Sequence, residues 1–236
     1  MSEIRVGVTG GSWVSAAGHG RLRDGAIPVF GAGKVAIPAR RDVFDRPLAR
    51  YGRFDQYTKL GCAAVALALR DAGLDDARNK STMGMVTSST WECTSVDLAY
   101  YETTLEDGGV FASPNLFSYT LPGIMQGECA VHFQLTGPTL CVGEDGGRGY
   151  AALRTALRMM ASDEIPAMIA GWLDDPPGCR QPEADRSDKE SGALFVVLER
   201  CPRPSPAPVR RLRFHRGCVV HDDGREVYSM MDLFTA

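Results

Sequence analysis

Glu144, Asp145 and Arg148 crowd a glycine-rich bend, Gly143-Glu-Asp-Gly-Gly-Arg-Gly149. Two adjacent carboxylates can form the acid–base pair of a hydrolase or decarboxylase. The competing reading is structural. Asp145 would cap a helix starting near Gly147, with Glu144 or Asp145 paired to Arg148. We favour the capping reading. Nucleophilic chemistry would need an activated thiolate, and the seven cysteines are Cys62, Cys93, Cys129, Cys141, Cys179, Cys201 and Cys218. None forms a Cys-x-x-Cys pair, so free and mostly buried thiols are expected. Cys141 falls inside a strand, aimed away from the bend, and Cys129 falls on a helix; both read as core. Cys93 follows Trp91 in a loop where solvent could reach it, with no partner histidine suggested. His132 ends a helix and reads as a packed or capping residue. No cluster of His, Cys, Asp and Glu has metal spacing, so neither a metal nor another cofactor is expected.

The elements that must position these residues alternate between strand and helix. Ile4–Thr9 alternates as a strand, and Gly10-Gly11-Ser12 is read as turning the chain. The spacing is not Gly-x-Gly-x-x-Gly, so a dinucleotide site is not expected. Residues 17–50, rich in Gly, Pro and Arg, read as an irregular excursion. Asp55 to Ala72 reads as a helix with an apolar stripe of Leu60, Ala64, Leu67 and Leu69, stopped by Gly73. Thr82–Ser88 is a strand, Asp97–Leu105 a helix, and Gly123–Phe133 a helix. Thr139–Val142 is a strand leading into the bend, and Arg148–Ala161 a helix with Leu153, Ala156, Leu157 and Met160 inward. Ala167–Trp172 and Ala193–Leu198 are buried strands, the second apolar enough to be covered on both faces. Pro-rich residues 202–208 read as an extended connector. Val209–Phe214 and Val219–Val220 read as a final strand or hairpin. This order predicts a layered α/β domain.

Composition narrows the partners. Of 236 residues, 44% are hydrophobic, enough for a substantial core, and the net charge of -3 argues against nucleic acid. No apolar run approaches the ~20 residues that span a bilayer. The N-terminus lacks a basic region followed by an apolar stretch, so no signal peptide is read and a cytoplasmic location is expected.

An ordered series of short matches over residues 4–200 resembles the β-ketoacyl synthases of the thiolase-like superfamily. Val6-Gly-Val-Thr-Gly10 is similar to that family's opening strand and turn. Arg50-Tyr-Gly-Arg-Phe-Asp-Gln-Tyr-Thr-Lys-Leu60 resembles the approach to its first long helix, and Asp71-Ala-Gly-Leu74 that helix's end. Leu121-Pro-Gly-Ile-Met-Gln-Gly127 and His132-Phe-Gln-Leu-Thr-Gly-Pro138 resemble the segment before the active-site strand. Gly192-Ala-Leu-Phe-Val-Val-Leu-Glu199 is similar to the strand closing the first half of the fold. The family's nucleophilic cysteine belongs at the tenth position from the Gly of Gly137-Pro138, which here is Gly146. A glycine cannot attack a thioester. The resemblance therefore implies no catalytic residue, a vacant nucleophile position, and a third role for Glu144, Asp145 and Arg148, filling the vacant pocket toward a partner.

The implied fold is half of a thiolase-like α/β fold, a mixed sheet with helices on both faces. Residues 1–200 would form a ketosynthase-like N-terminal domain lacking the nucleophile, and 201–236 a Pro-rich connector with a C-terminal strand or hairpin. A full ketosynthase continues for about another domain, with two catalytic histidines, a lysine and a glycine-rich loop. His215 and His221 do not match that context, and the cap between Trp172 and Ser187 is shorter than the family's insert.

The likeness is strongest to the chain-length-factor subunits of type II polyketide, aryl-polyene or fatty-acid systems. It implies a non-catalytic partner of a full ketosynthase in a heterodimer, contacting acyl carrier protein indirectly. Interface or tunnel candidates are Thr139, Leu140, Cys141 and Val142, with Phe111, Phe117 and Met125. The alternatives are a stand-alone acyl-thioester hydrolase or decarboxylase using Glu144 and Asp145, or a carrier-protein scaffold using Arg210, Arg211, Arg213 and Arg216. A solvated strand face is the favoured reading of those arginines.

Overall fold

The computed structural model describes residues 3–31, 33–74, 80, 82–161, 165–177, 190–200 and 207–235. Cys179, Cys201, most of the expected connector and most of the expected cap lie outside the described residues. The chain opens with β1 (Ile4–Ser15), β2 (Gly18–Arg21) and a helical turn α1 (Arg40–Val43). The long helix α2 (Gln56–Asp71) and β3 (Met83–Ser89) follow. Next come α3 (Thr94–Leu105), the short α4 (Pro114–Phe117), α5 (Gly123–Phe133) and β4 (Thr139–Gly143). The chain then runs through α6 (Tyr150–Met160), β5 (Ala167–Asp174), β6 (Gly192–Glu199), β7 (Arg210–His215) and β8 (Cys218–His221).

The strands form one mixed sheet in the order β4-β3-β5-β6-β1-β7-β8, with β2 paired to β1. β4, β3 and β5 run parallel, while β6 is antiparallel to both β5 and β1. The two-residue period of β6 shows why helices must cover both faces. Ala193, Phe195 and Val197 join one apolar cluster with α2 and α5; Leu194, Val196 and Leu198 join the other with α6 and the C-terminal hairpin. The inward set read for α6 (Leu153, Ala156, Leu157, Met160) is wholly buried.

α2 is held at its start by Asp55, whose carboxylate accepts from the amides of Tyr57 and Thr58 at 3.1 Å. Gly73 stops it, with Leu74 N donating to Leu69 O at 2.9 Å. The helix is wider in its burial than the expected stripe: every residue from Leu60 to Leu69 is buried.

The expected turn at Gly10-Gly11-Ser12 is corrected. β1 runs straight through to Ser15, with a bulge between Val8 and Gly10 in its pairing to β6. The glycines mark a close approach. A Cβ on Gly10 would fall 2.3 Å from Ala72 N, and Gly11 N donates to Asp71 Oδ2 at 2.9 Å. Strand and helix end touch backbone to backbone, which excludes side chains there. Val209–Phe214 and Val219–Val220 form the β7–β8 hairpin, and β7 pairs with β1 through Ile4–Val8. On β7, Leu212 and Phe214 are buried, Arg211 is exposed, and Arg210 and Arg213 are half-buried; Arg216, in the turn to β8, is exposed.

Candidate functional site

The bend between β4 and α6 forms one wall of a cleft of about 790 Å³. Glu144 emerges from the end of β4, its amide bonded to Ser89 O of β3 at 3.0 Å. Its carboxylate turns back over the start of α6. Oε2 accepts from Ser88 Oγ at 2.6 Å and from Gly149 N at 2.7 Å. Oε1 accepts from Asp145 N at 3.2 Å and Ala151 N at 3.5 Å. A negative group thus satisfies amides that a helix start leaves without partners.

This corrects the expected capping. α6 begins at Tyr150, three residues beyond Gly147, with Gly149 in the left-handed region at its N-cap. The displaced start puts Asp145 out of reach, and Glu144 caps instead. Asp145 pairs with Arg154 at 2.7 Å. Arg148 pairs with neither acid of the bend. Its guanidinium meets Glu190 and lies over the rings of Phe30 (4.6 Å) and Trp172 (5.2 Å). Burial lowers its pKa from the ordinary arginine value.

Gly146 sits exposed on the cleft wall at φ +127°, with open space where a Cβ would stand. That φ is one that L side chains rarely adopt. Beside it, the C-terminal segment closes one side of the cleft. Met230 N and Ser229 Oγ donate to Arg148 O at 2.9 and 3.2 Å, and Tyr228 O lies 2.0 Å from a Cβ built on Gly147.

A fourth polar residue, missed by the sequence reading, organises the opposite wall. Asp174 ends β5 and is 3% exposed. It accepts from Ser89 Oγ (2.5 Å), Thr90 N (2.9 Å), Trp91 N (2.7 Å) and Trp172 Nε1 (2.8 Å). The local signal was a carboxylate following the apolar run Ala167–Leu173, but all its donors except Trp172 come from the end of β3 and the loop after it, about 85 residues earlier. Asp175 has its carboxyl pushed up to about 6 by burial, with Asp55 and Asp174 adding repulsion.

No described thiol is set up as a nucleophile. Cys141 is half-buried in β4, accepts from Thr87 Oγ1 at 3.5 Å, and is raised in pKa by burial. Cys93 corrects the expectation of exposure. It is 4% exposed, its S–H donates to Thr120 O at 3.3 Å, and burial with Asp97 nearby pushes its thiol up to about 12. Cys62 and Cys129 are buried. His132 packs edge-on against Phe44 and Phe133. Among the described residues no group of His, Cys, Asp and Glu is arranged to hold a metal, and no helix is long and apolar enough to cross a membrane.

The interface candidates divide. Thr139 and Leu140 are exposed and Cys141 and Val142 half-buried on β4, which pairs with β3 and ends the sheet. Phe111 and Phe117 are 71% and 60% exposed. Met125 is fully buried, in the space left by Gly61, where a Cβ would fall 2.6 Å from its Cγ.

Comparison with solved structures gives the same architecture at low identity. The ishigamide ketosynthase/chain length factor superposes with a TM-score of 0.68 at 17% identity, over 88% of this chain and 65% of that one. A type II polyketide acyl-carrier protein complex with its ketosynthase bound to the hexaketide gives 0.64 at 15%, over 84% and 63%. A β-ketoacyl synthase from Burkholderia phymatum STM815 gives 0.62 at 19%, over 84% and 59%. The chain thus spans less than two thirds of the length of each. No curated protein matches it in sequence. The family model for the β-ketoacyl synthase N-terminal domain matches residues 35–176. That segment holds α2, β3, α5, the β4–α6 bend and all of β5, more than half of the chain. By fold and sequence together, the chain belongs to the β-ketoacyl synthase N-terminal domain family.

Proposed function

We propose that this chain is a non-catalytic subunit, of the chain-length-factor kind, that pairs with a complete β-ketoacyl synthase in polyketide or fatty-acid assembly. The observation that carries the reading is Gly146. It occupies the place where the family resemblance puts the nucleophile, and its φ of +127° is hostile to a cysteine. The nearest thiol in sequence, Cys141, lies five residues away in a strand and is raised in pKa, the reverse of an activated nucleophile.

The surface supports a partner. Among the described residues β4 is an edge strand of the sheet, and an open edge is a template for another strand. The stretch from α3 to the start of α5 exposes Leu98, Tyr101, Leu105, Phe111, Phe117 and Leu121. The similar solved structures include a ketosynthase/chain length factor. In that role the subunit would help to wall the partner's acyl tunnel, with carrier protein engaged through the partner, in the cytoplasm. The geometry gives the hydrolase reading no support. Both oxygens of Glu144 are engaged by the chain's own donors, and Asp145 is tied to Arg154.

Co-expression with a complete ketosynthase, followed by size-exclusion chromatography and mass measurement, tests the proposal. A stable one-to-one complex is expected. A soluble monomer indifferent to ketosynthases, or turnover of acyl thioesters by the purified chain alone, would overturn it.

A further inference from the structure

Between α2 and α5 the chain buries two thiols in contact. Cys62 and Cys129 are 1% and 0% exposed, and their Sγ atoms stand 3.5 Å apart. The helices come this close because Gly61 leaves room for Met125, whose Sδ lies 3.7 Å from Cys129 Sγ. A disulfide needs sulfur atoms about 2 Å apart. Closing the gap takes roughly 1.5 Å of movement shared by two side chains on elements already in contact. We propose that Cys62 and Cys129 are a built-in oxidation site, converted by a small neutral peroxide into a disulfide that staples α5 to α2.

The chemistry balances without a further partner. The sulfur of one thiol attacks the peroxide and breaks the O–O bond, and its proton leaves on the departing oxygen; with hydrogen peroxide a sulfenic acid forms and water leaves. The second thiol attacks that sulfur, the S–S bond forms, and a second water leaves. Two electrons pass from the thiols to the peroxide. Burial selects the oxidant: a bulky or charged disulfide cannot reach sulfur atoms sealed between two helices. The hydrogen bond from Cys129, together with burial, holds the Cys62 thiol well above its usual pKa, so the thiolate fraction is small and the first oxidation step is slow.

The consequence reaches the sheet edge. α5 carries Gln126, whose amide donates to Leu140 O at 2.8 Å and Thr87 Oγ1 at 2.9 Å. It also carries Glu128, paired to Arg50 at 2.9 Å. A staple on α5 therefore stiffens the helix that holds β4 in place.

The test uses the intact, reduced chain. It is treated with hydrogen peroxide, its remaining thiols are alkylated after unfolding, and its peptides are mapped by mass spectrometry. A linked pair carrying Cys62 and Cys129, lighter by two hydrogens and split by reductant, is the expected result. The oxidised chain should also melt at a higher temperature than the reduced one, a gain that Cys62→Ala and Cys129→Ala both abolish. Exposed Cys218 is the internal control. Recovery of Cys62 and Cys129 as alkylated thiols at a peroxide dose that oxidises Cys218 would overturn the proposal. So would a bridge from either to any other cysteine.

Discussion

Replacing Glu144 by Ala removes the group that joins β3, the bend and α6. Ser88 is fully buried, so its hydroxyl would lose a partner at 2.6 Å. Stranding such a donor costs about 1–3 kcal/mol. Loss of a capping acceptor adds about 1 kcal/mol, and loss of negative charge at the helix start a few tenths more. The expected destabilisation is therefore about 3 kcal/mol, which for a chain of this size lowers the melting temperature by roughly 6–12 °C. Glu144→Gln keeps one acceptor oxygen and should cost about half as much. Asp145→Ala is the control, because its pair with Arg154 joins side chains 49% and 36% exposed, a contact worth less than about 1 kcal/mol. Urea denaturation followed by circular dichroism measures all three, with unchanged dependence on urea concentration as the sign of a simple stability effect. If Glu144→Ala stays within about 0.5 kcal/mol of the parent, or if Asp145→Ala costs as much, the assignment of the cap to Glu144 is wrong.

Two glycines should respond for opposite reasons. Gly10→Ala drives a Cβ into the backbone of Ala72 and should cost about 3 kcal/mol or more, read as poor soluble yield or an early melt. Gly146→Ala meets open space and only an unfavourable φ, so about 1 kcal/mol is expected; a cost equal to that at Gly10 would contradict the geometry. Asp175 gives a pH signature. Its folded-state carboxyl is raised to about 6, so below pH 4 both folded and unfolded chains hold the proton and no penalty exists. Between pH 4 and 6 the unfolded chain releases that proton first, stability falls as pH rises, and above 6 the full cost applies. Asp175→Asn should therefore stabilise by up to about 3 kcal/mol at pH 7.5 and by almost nothing at pH 3.5. A gain independent of pH would remove burial of this carboxylate as its cause.

The parts of the fold legible in the sequence are those fixed by local pattern. α5 begins and ends where expected, Gly73 stops α2, and the apolar run of β6 reads correctly as a strand covered on both faces. What escaped was set by distant contact. Gly10 and Gly11 look like a turn when read along the chain; only the arrival of the α2 end explains them as part of a straight strand. Cys93 looked open because it lies in a loop, but the carbonyl that receives its S–H belongs to Thr120. The site shows the same division. The bend's acids and arginine were visible as a cluster, yet their partners Ser88, Arg154 and Glu190 follow from where α6 starts and which strands flank it. Asp174 gathers most of its donors from the end of the neighbouring strand β3 and the loop after it, about 85 residues earlier in sequence, and had only its position after an apolar strand to announce it.

The chemistry of the bend is set by more than the glycine at position 146. A thiol at a helix start becomes reactive when the helix dipole and unpaired amides stabilise its thiolate. Here Glu144 already takes that stabilisation, spending its charge on Gly149 N and Ala151 N. Gly146 has room for a side chain but a backbone angle that disfavours one. Arg148, which could have raised the local positive potential, is turned onto Phe30 and Trp172 and matched by Glu190. Gly147 is pinned beneath Tyr228 O. These four arrangements use different parts of the chain and all reduce the same property, the power of this helix start to support an anionic nucleophile. A cysteine placed at position 146 would meet every one of them, so the geometry of the whole bend adds to what Gly146 says for the proposed non-catalytic role.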